Sequence, residues 1–364
     1  MSTAQPTDSD PYRLGPLDGA AGALPLVLEP RAGASRDAGA LASWLEGRRA
    51  WALRALTEHG ALLLRGFSVD DPRAFERIAR AVTPKLQNEY LGTSPRDRLT
   101  DHVFTASELP PYYPIPQHCE MSFLPRPPSH VFFWCDVPPA GPGGETPLVD
   151  FRRVLRDLFQ PVRARFEAHG VRIIRNYSGP EDGSRLDLWK LKRWDEMFQT
   201  TDRGAVERSC RDNGFDYRWM PGGRLRLVNH QPAVRTHPTT GEPVWFNHAQ
   251  VFHLSSAAGE YRRIAARRRD PIDRWRYLAL AGFARAVVSL RTRLTATEDQ
   301  AMHCTYGDGS PIPDEDMEAV RDAIWKNLVC FRWEKGDVVA IDNFAVAHGR
   351  MPYSGPRRVA VCWA

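Results

Sequence analysis

Cysteine is scarce in this sequence, and the spacing of the few cysteines excludes several kinds of site. The six cysteines among the 364 residues are Cys119, Cys135, Cys210, Cys304, Cys330 and Cys362. No two of them form a Cys-x-x-Cys pair, so we expect neither a zinc ribbon, nor an iron–sulfur site, nor a framework of disulfide bonds. The pattern fits a reducing compartment, and we expect the protein in the cytoplasm.

Lysine and long apolar runs are scarce as well. Only five of the 49 basic residues are lysines, and the net charge is +5. Acidic residues are interleaved with the arginines and no long basic run occurs, so we expect no nucleic-acid partner. No apolar run approaches the roughly 20 residues of a membrane span, and the N-terminus lacks the pattern of a signal peptide. We therefore expect a soluble protein with no membrane partner.

The composition and turn signals divide the chain into a short arm and one large domain. Residues 1–20 are rich in Ser, Asp, Pro and Gly, which predicts a flexible arm, and 42% hydrophobic residues can fill an ordinary core in residues 21–364. Apolar periodicity predicts helices at about 38–59, from Pro72 onward, and at 151–170 and 202–213. Strands are predicted at 61–67, 129–137, 171–176, 224–229, 329–333, 338–342 and 358–363.

Strands outnumber helices in the second half of the chain and are separated by turns. This arrangement favours an α+β protein with a barrel or jelly-roll core over a doubly wound sheet. The segment from about 257 to 297 differs, because it is basic and helical in pattern, with an apolar stripe that includes Tyr277, Phe283 and Leu290. We predict a helical insert packed on the core. A lid over an active site and a contact between subunits are the two other interpretations of this insert.

His118-Cys119-Glu120 is the only His-x-Asp or His-x-Glu triplet in the chain. In an extended segment, side chains two residues apart point to the same face, so His118 and Glu120 could reach one metal ion while Cys119 points away. A histidine beside a carboxylate is often only a hydrogen-bonded core residue. The triplet is therefore a weak signal by itself.

A second signal lies near the C-terminus, where a buried strand runs into His348-Gly349-Arg350. A proline- and glycine-containing turn follows, and the chain returns as a strand that begins with Arg357-Arg358. Hairpin geometry would bring one of these arginines back near His348, and a guanidinium can hold a carboxylate through two parallel hydrogen bonds. Two imidazoles and one carboxylate are the ligands of non-haem Fe(II) oxygenases. The sequence thus suggests an iron enzyme that activates O2 beside an anchored dicarboxylic acid.

Four ordered motifs resemble those of the taurine/2-oxoglutarate dioxygenase family. They are His118-Cys119-Glu120-Met121-Ser122, Gly143-Gly144-Glu145-Thr146-Pro147, the run from His237 to Asn247, and the run from His348 through Arg358. The similarity extends from about Leu62 to the C-terminus and is interrupted by the helical insert. It is greatest to the branch that includes clavaminate synthase and syringomycin-type aspartyl hydroxylases.

The resemblance implies a double-stranded β-helix, or jelly roll, with flanking helices. It also implies Fe(II) bound by His118, Glu120 and His348, with 2-oxoglutarate and O2 as cosubstrates. The distal carboxylate of 2-oxoglutarate would be held by Thr146 and by Arg358. Arg357 is the rival, because neighbouring residues face opposite sides of a strand.

The reaction type also follows from the resemblance. Halogenating relatives carry a small residue at the position of Glu120, so a glutamate implies hydroxylation or desaturation of a C–H bond, with release of succinate and CO2. The substrate would be a small amino-acid-like molecule, free or tethered to a carrier protein in specialised metabolism. Candidate substrate residues are Ser122, Asn247, Arg350 and Arg96.

Two alternatives from other classes stay open at this point. A cupin-like metal barrel without oxygenase activity could share the strands and histidines, but it would not need the grip by Arg358 and Thr146. A metal-free binding protein would make His118 and His348 ordinary core residues. A homo-oligomer is compatible with each of these interpretations.

Overall fold

The computed structural model describes residues 5–17, 24–92, 94, 96–181 and 192–364. Within them the chain forms an α+β structure. Its strands, in chain order, are β1 (Tyr12–Pro16), β2 (Leu26–Pro30), β3 (Ala61–Leu64), β4 (Phe104–Thr105), β5 (Ile115–His118), β6 (His130–Val137), β7 (Leu148–Asp150), β8 (Val171–Tyr177), β9 (Asp216–Met220), β10 (Arg224–Gln231), β11 (Val234–Thr236), β12 (Pro243–Trp245), β13 (Met302–Tyr306), β14 (Leu328–Val329), β15 (Val338–Asp342), β16 (Val346–Arg350) and β17 (Arg358–Trp363).

The helices alternate with these strands. They are α1 (Ala38–Gly47), α2 (Arg49–His59), α3 (Pro72–Val82), α4 (Phe151–Asp157), α5 (Gln160–His169), α6 (Trp194–Phe198), α7 (Arg203–Asp212), α8 (Ala249–Phe252), α9 (Ser256–Arg267), α10 (Pro271–Leu294) and α11 (Asp314–Lys326). None of the helices in these residues is both long enough and apolar enough to cross a membrane.

Aspartates mark several of the helix starts. Their carboxylates accept hydrogen bonds from backbone N–H groups of the first turn, which would otherwise lack a partner. These aspartates are Asp37, Asp71, Asp150, Asp202 and Asp270.

Two of the predicted helices are each divided into two shorter helices in the structure. The first breaks at Arg48, which leaves the helical region at φ −121° and ψ 22°, and the second breaks at the extended Leu158 and Phe159.

Two sheets form the part of the fold that matters for the site. The larger sheet has the strand order β1-β2-β3-β15-β6-β17-β4, and a four-stranded sheet has the order β14-β7-β16-β5. Strand β6 alternates its side chains: Phe132 and Trp134 pack against α1, α2 and α3, whereas Phe133 and Cys135 face the other sheet. The ring of Phe133 lies 4.7 Å from that of His348 on β16, centroid to centroid. The two sheets therefore face each other across His348.

The N-terminal segment is more ordered than its composition predicts. Residues 12–16, assigned to a flexible arm from the sequence, form β1 and pair antiparallel with β2. Tyr12 is buried, and its ring packs edge-on against Trp44 and Phe67, so the strand is held by tertiary contacts. The predicted arm is wrong for these residues, and residues 1–4 and 18–20 lie outside the described part of the chain. The predicted strand 329–333 is likewise reduced to its first residue.

The helical insert consists of α9 and α10, which pack on each other outside the sheets. Tyr277 and Ala281 of α10 are buried, while Phe283 and Leu290 are exposed. The predicted apolar stripe is therefore divided between an inner and an outer face of the helix. The insert also packs on α11, and its role as a separate helical element stays a prediction.

Gly349 allows β16 to lie against β5. A Cβ at this position would lie 2.5 Å from the carbonyl oxygen of Ile115, closer than side-chain carbons approach backbone atoms. We expect Gly349→Ala to push β16 away from β5 and to lower the free energy of unfolding by about 1–3 kcal/mol. Urea unfolding followed by circular dichroism measures this loss.

Gly15→Ala is the matched control, because Gly15 also lies in a strand but a Cβ there would meet nothing within 4 Å. We expect its effect to stay within about 0.5 kcal/mol. Equal losses in the two variants would contradict a special role for the contact between β16 and β5.

Candidate active site

The structure brings His118, Glu120 and His348 together. His118 ends β5 and pairs directly with His348 on β16, although the two are far apart in sequence. One ligand atom from each of the three residues lies within 4.8 Å of the other two, and no other such group of histidine, cysteine and carboxylate side chains occurs in the described residues. One metal ion could therefore contact all three.

The hydrogen bonds of His118 prepare its ring for a metal. Its Nδ1 lies 2.8 Å from the carbonyl oxygen of Pro116, so Nδ1–H donates to that oxygen and Nε2 keeps a free lone pair. Burial, together with the neighbouring His348, lowers the pKa of His118 to about 4. The imidazole is therefore neutral near pH 7, which is the form that binds metal ions.

Glu120 carries the negative charge of the site. Its Oε2 accepts a hydrogen bond from Nη2 of Arg96 at 2.9 Å and lies 3.6 Å from Nε2 of His348. Burial alone would raise the pKa of the Glu120 carboxyl, but Arg96 and His348 outweigh burial and hold that pKa below its usual range. Two imidazoles and an ionised carboxylate are a donor set that fits Fe(II).

The backbone of Glu120 is fixed by Asn343, a residue that was not predicted to take part in the site. Oδ1 of Asn343 accepts the N–H of Glu120 at 2.6 Å, and its Nδ2 donates to the Glu120 carbonyl at 3.0 Å. The next residue, Met121, has φ of +50°, a left-handed conformation that is unusual for a side chain of its size. The chain thus turns sharply directly after the ligand, and Asn343 holds that turn.

An apolar cavity adjoins His118 and Glu120. Its walls include Tyr90, Leu109, Tyr113, Ile115, Phe123, Val251, Phe252 and Met302. His248 is a polar group in this wall that the sequence did not single out, and its Nδ1 lies 2.6 Å from Oγ of the buried Ser122. Burial, with His118 nearby, lowers the pKa of His248, so its ring is neutral near pH 7. Its only signal in the sequence was its place directly after Asn247.

The two neighbouring arginines point to opposite sides of β17. Arg358 is exposed on the outer side of the sheet, where it pairs with Asp136. Arg357 points inward, and its Nε donates to the carbonyl oxygen of Gly144 at 2.7 Å while Nη2 donates to Oγ1 of Thr146 at 3.3 Å. The preference for Arg358 over Arg357 is therefore corrected, because only Arg357 lies beside Thr146.

Arg357 has no carboxylate within 4.0 Å in the part of the chain that the structure describes. Burial, with Arg350 nearby, lowers the pKa of Arg357 to about 10, so the guanidinium is still charged near pH 7. A half-buried guanidinium that contacts no carboxylate can pair with the carboxylate of a ligand. Arg357 and Thr146 could therefore hold a carboxylate.

The predicted substrate residues occupy different environments. Ser122 lies beside His248, next to the cavity. Asn247 is committed to the backbone, since its amide donates to the Ala233 carbonyl and its oxygen accepts the N–H of Ala249. The guanidinium of Arg350 is likewise committed, to the carbonyl oxygens of Ser107, Leu109, Pro110 and Tyr113. Asn247 and Arg350 thus use these side-chain atoms in hydrogen bonds within the protein, and their predicted contact with a substrate stays a prediction.

Comparison with known proteins adds sequence evidence to this geometry. The model of the family described as "Taurine catabolism dioxygenase TauD, TfdA family" matches residues 26–363. Dapdiamide synthesis protein DdaC from Enterobacter agglomerans is 30% identical over 308 residues, which cover 84% of this chain and 82% of DdaC. A clavaminate synthase-like protein from Arabidopsis thaliana is also 30% identical over 308 residues, with 84% and 81% covered.

Solved structures of related shape include PvcB from Pseudomonas aeruginosa, described as an Fe, alpha-ketoglutarate dependent oxygenase from an isonitrile synthetic pathway. The superposition covers 100% of this chain and 94% of PvcB, with a TM-score of 0.49 and 17% identity.

Asn343→Ala should disturb both the fold and the site. The substitution leaves the buried N–H and carbonyl of Glu120 without their partner, which should lower the free energy of unfolding by about 2–4 kcal/mol. It should also weaken Mn(II) uptake, because the Glu120 carboxylate loses its fixed position. Asn88→Ala, at an exposed asparagine, is the control and should change neither quantity. Unchanged Mn(II) affinity in Asn343→Ala would contradict this role.

Proposed function

Because this chain belongs to the TauD/TfdA dioxygenase family, it is an Fe(II)- and 2-oxoglutarate-dependent dioxygenase, and we propose that it hydroxylates or desaturates an unactivated C–H bond of a small amino-acid-like substrate. The observation that carries this proposal is the closeness of His118, Glu120 and His348 on paired strands, with a charged Arg357 that lacks a carboxylate partner in the described residues. Family membership also removes the alternatives of a cupin-like barrel and a metal-free binding protein.

We propose that His118, Glu120 and His348 bind the iron. Three observations support this assignment. The ligand atoms of the three residues lie within 4.8 Å of one another, Nε2 of His118 is free, and Glu120 is ionised. When bound, iron and 2-oxoglutarate activate O2 for oxidation of the substrate, with release of succinate and CO2. The residues around them hold the ligands in place: Pro116 fixes the ring of His118, and Arg96 and Asn343 fix Glu120.

The distal carboxylate of 2-oxoglutarate would be held by Arg357 and Thr146. Oγ1 of Thr146 accepts hydrogen bonds from Arg357 and from the indole N–H of Trp333, so its own hydrogen is free to donate to an anion. Thr146 lies two residues before Leu148, which pairs with His348. This short connection to the strand beside His348 supports a carboxylate site close to the metal ligands.

We further propose that the β core is a double-stranded β-helix. Support comes from the two sheets that face each other across the site, with Phe133 of one in contact with His348 of the other. The aromatic and aliphatic wall around the metal ligands excludes water from the reacting atoms. Glu120 supplies a third protein ligand, which favours hydroxylation or desaturation over transfer of a halide.

The substrate would bind in the apolar cavity with its target C–H bond near the metal. His248 would hydrogen-bond a polar group of the substrate through Nε2, because its Nδ1 is used by Ser122. Its ring also packs near Phe123 and Phe252. The relationship to a dapdiamide synthesis protein supports a role in specialised metabolism, with an amino acid that is free or carried by a carrier protein. Succinate formation stimulated by free amino acids or by carrier-bound aminoacyl groups would distinguish these two forms.

Alanine at His118 or His348 should abolish iron binding and turnover. Removing either imidazole leaves two protein ligands, too few to hold Fe(II) during anaerobic gel filtration. Iron content and succinate formation measure the loss, and circular dichroism shows that the variants stay folded. His230→Ala, at an exposed histidine, should behave like the unmodified protein. Stoichiometric iron in His348→Ala would refute the assignment.

Arg357→Ala should raise the KM for 2-oxoglutarate by roughly two or more orders of magnitude, because loss of one partner of a desolvated ion pair costs about 3–5 kcal/mol. Arg358→Ala is a matched control, since it removes the adjacent, exposed guanidinium from the other side of the strand. We expect the KM of this control to stay near that of the unmodified enzyme. If Arg358→Ala shows the large effect and Arg357→Ala does not, the grip has been assigned to the wrong residue.

A further inference from the structure

We propose that the outer face of α10 is the contact between two copies of this chain, with the two α10 helices packed antiparallel about a two-fold axis near Phe283. This inference goes beyond the dioxygenase activity, and its test requires neither metal nor substrate.

An apolar stripe, interrupted at one edge by the exposed Arg276, runs along the outer face of α10. Exposure is 80% for Ile272, 72% for Trp275, 66% for Phe283, 58% for Leu290 and 76% for Leu294. At about 100° per residue, these side chains lie within an arc of roughly 100°, over a length of about 33 Å. Single exposed apolar residues are common, but a stripe of this length is typical of an interaction surface.

The stripe is centred on Phe283. Ile272 and Leu294 lie at its two ends, each eleven residues from Phe283. Eleven residues make just over three turns, so the three side chains are about 20° apart and share one face of the helix. A two-fold axis at Phe283 would place Ile272 of one copy opposite Leu294 of the other. A surface that matches itself in this way suits the isologous contact of a symmetric dimer.

Small side chains flank the central ring. Ala279 and Ala286 lie about one turn before and after Phe283, and both are exposed. In an antiparallel pair, each Phe283 ring would fill the space beside the alanines of the other helix, as ridges fill grooves in packed helices. A helix that lies on a lipid surface usually carries large apolar side chains such as Trp, Phe and Leu on its apolar face, and not small residues at its centre. The pattern therefore favours a second helix over a membrane.

The charge at the edge of the stripe also suits a second copy. Trp275 and Arg293 lie on the same edge at opposite ends of the helix. The two-fold would bring Arg293 of one copy over the Trp275 ring of the other, a favourable cation–π contact, twice per dimer. Arg293 has no acidic partner within 4.0 Å in the described part of the chain, so it is free to make this contact.

The same helix borders the candidate active site. Leu280, Phe283, Ala284 and Val287 line an apolar groove together with Leu109 and Tyr113. Leu109 and Tyr113 also line the cavity beside His118 and Glu120. A dimer formed through α10 would thus brace the wall of the substrate cavity from outside.

Light scattering coupled to gel filtration tests the proposal on the full chain. We expect the mass of a dimer for the unmodified protein and the mass of a monomer for Phe283→Arg, with unchanged circular dichroism because Phe283 is exposed. Phe159→Arg is the matched control, since Phe159 is also 66% exposed but lies before α5. This control should stay dimeric. A monomeric unmodified protein, or a dimer that survives Phe283→Arg, would overturn the proposal.

A cross-linking experiment tests the two-fold itself. In a Cys330→Ser background, which removes the exposed native cysteine, Phe283→Cys should form a disulfide-linked dimer on mild oxidation, and Phe159→Cys should not. Flotation with phosphatidylcholine/phosphatidylserine vesicles tests the membrane. Binding to those vesicles that Phe283→Arg abolishes, by a protein that stays monomeric, would assign the stripe to a lipid surface and reject the dimer.

Discussion

The buried charge of Glu120 is the constraint on which the rest of the site depends. A carboxylate that is removed from water becomes protonated unless its surroundings favour the ionised form. Arg96 supplies a positive charge at 2.9 Å, and Asn343 satisfies the backbone on both sides of the carboxylate-bearing residue. Arg96 in turn packs on the rings of Tyr90 and Trp363, whose centroids lie 4.3 and 5.6 Å from its guanidinium carbon. The ligand stays charged because several parts of the fold converge on it.

Strand pairing converts these local arrangements into one site. His118 and His348 are direct partners across β5 and β16, and the close approach of these strands requires the absence of a side chain at Gly349. The pairing of β16 with β7 brings the segment that contains Thr146 near His348. At the start of β17, neighbouring side chains alternate, so Arg357 points inward and Arg358 points outward. Three antiparallel contacts thus assemble residues from separate parts of the chain.

The sequence could predict features that depend on residue type and local spacing. A triplet with histidine and glutamate two apart indicates one face of an extended segment, and the apolar runs of β15 and β17 have the boundaries that their patterns predict. The choice between Arg357 and Arg358 could not be made in this way, because it depends on an irregular register between β17 and β6 at Arg358. Strand β1 was missed because its order comes from Tyr12 packing against distant aromatic rings.

His248 shows the same limit in the active site. Its sequence neighbours give it no metal-ligand spacing, and its ring enters the cavity wall only because α8 packs beside β5. The site as a whole combines two kinds of polar group. His118 and His248 are neutral and hold fixed hydrogen bonds, whereas Arg357 keeps a positive charge that no described carboxylate neutralises. An anion bound beside Thr146 would pair with this charge, and the proposed cosubstrate with two carboxylates could supply it.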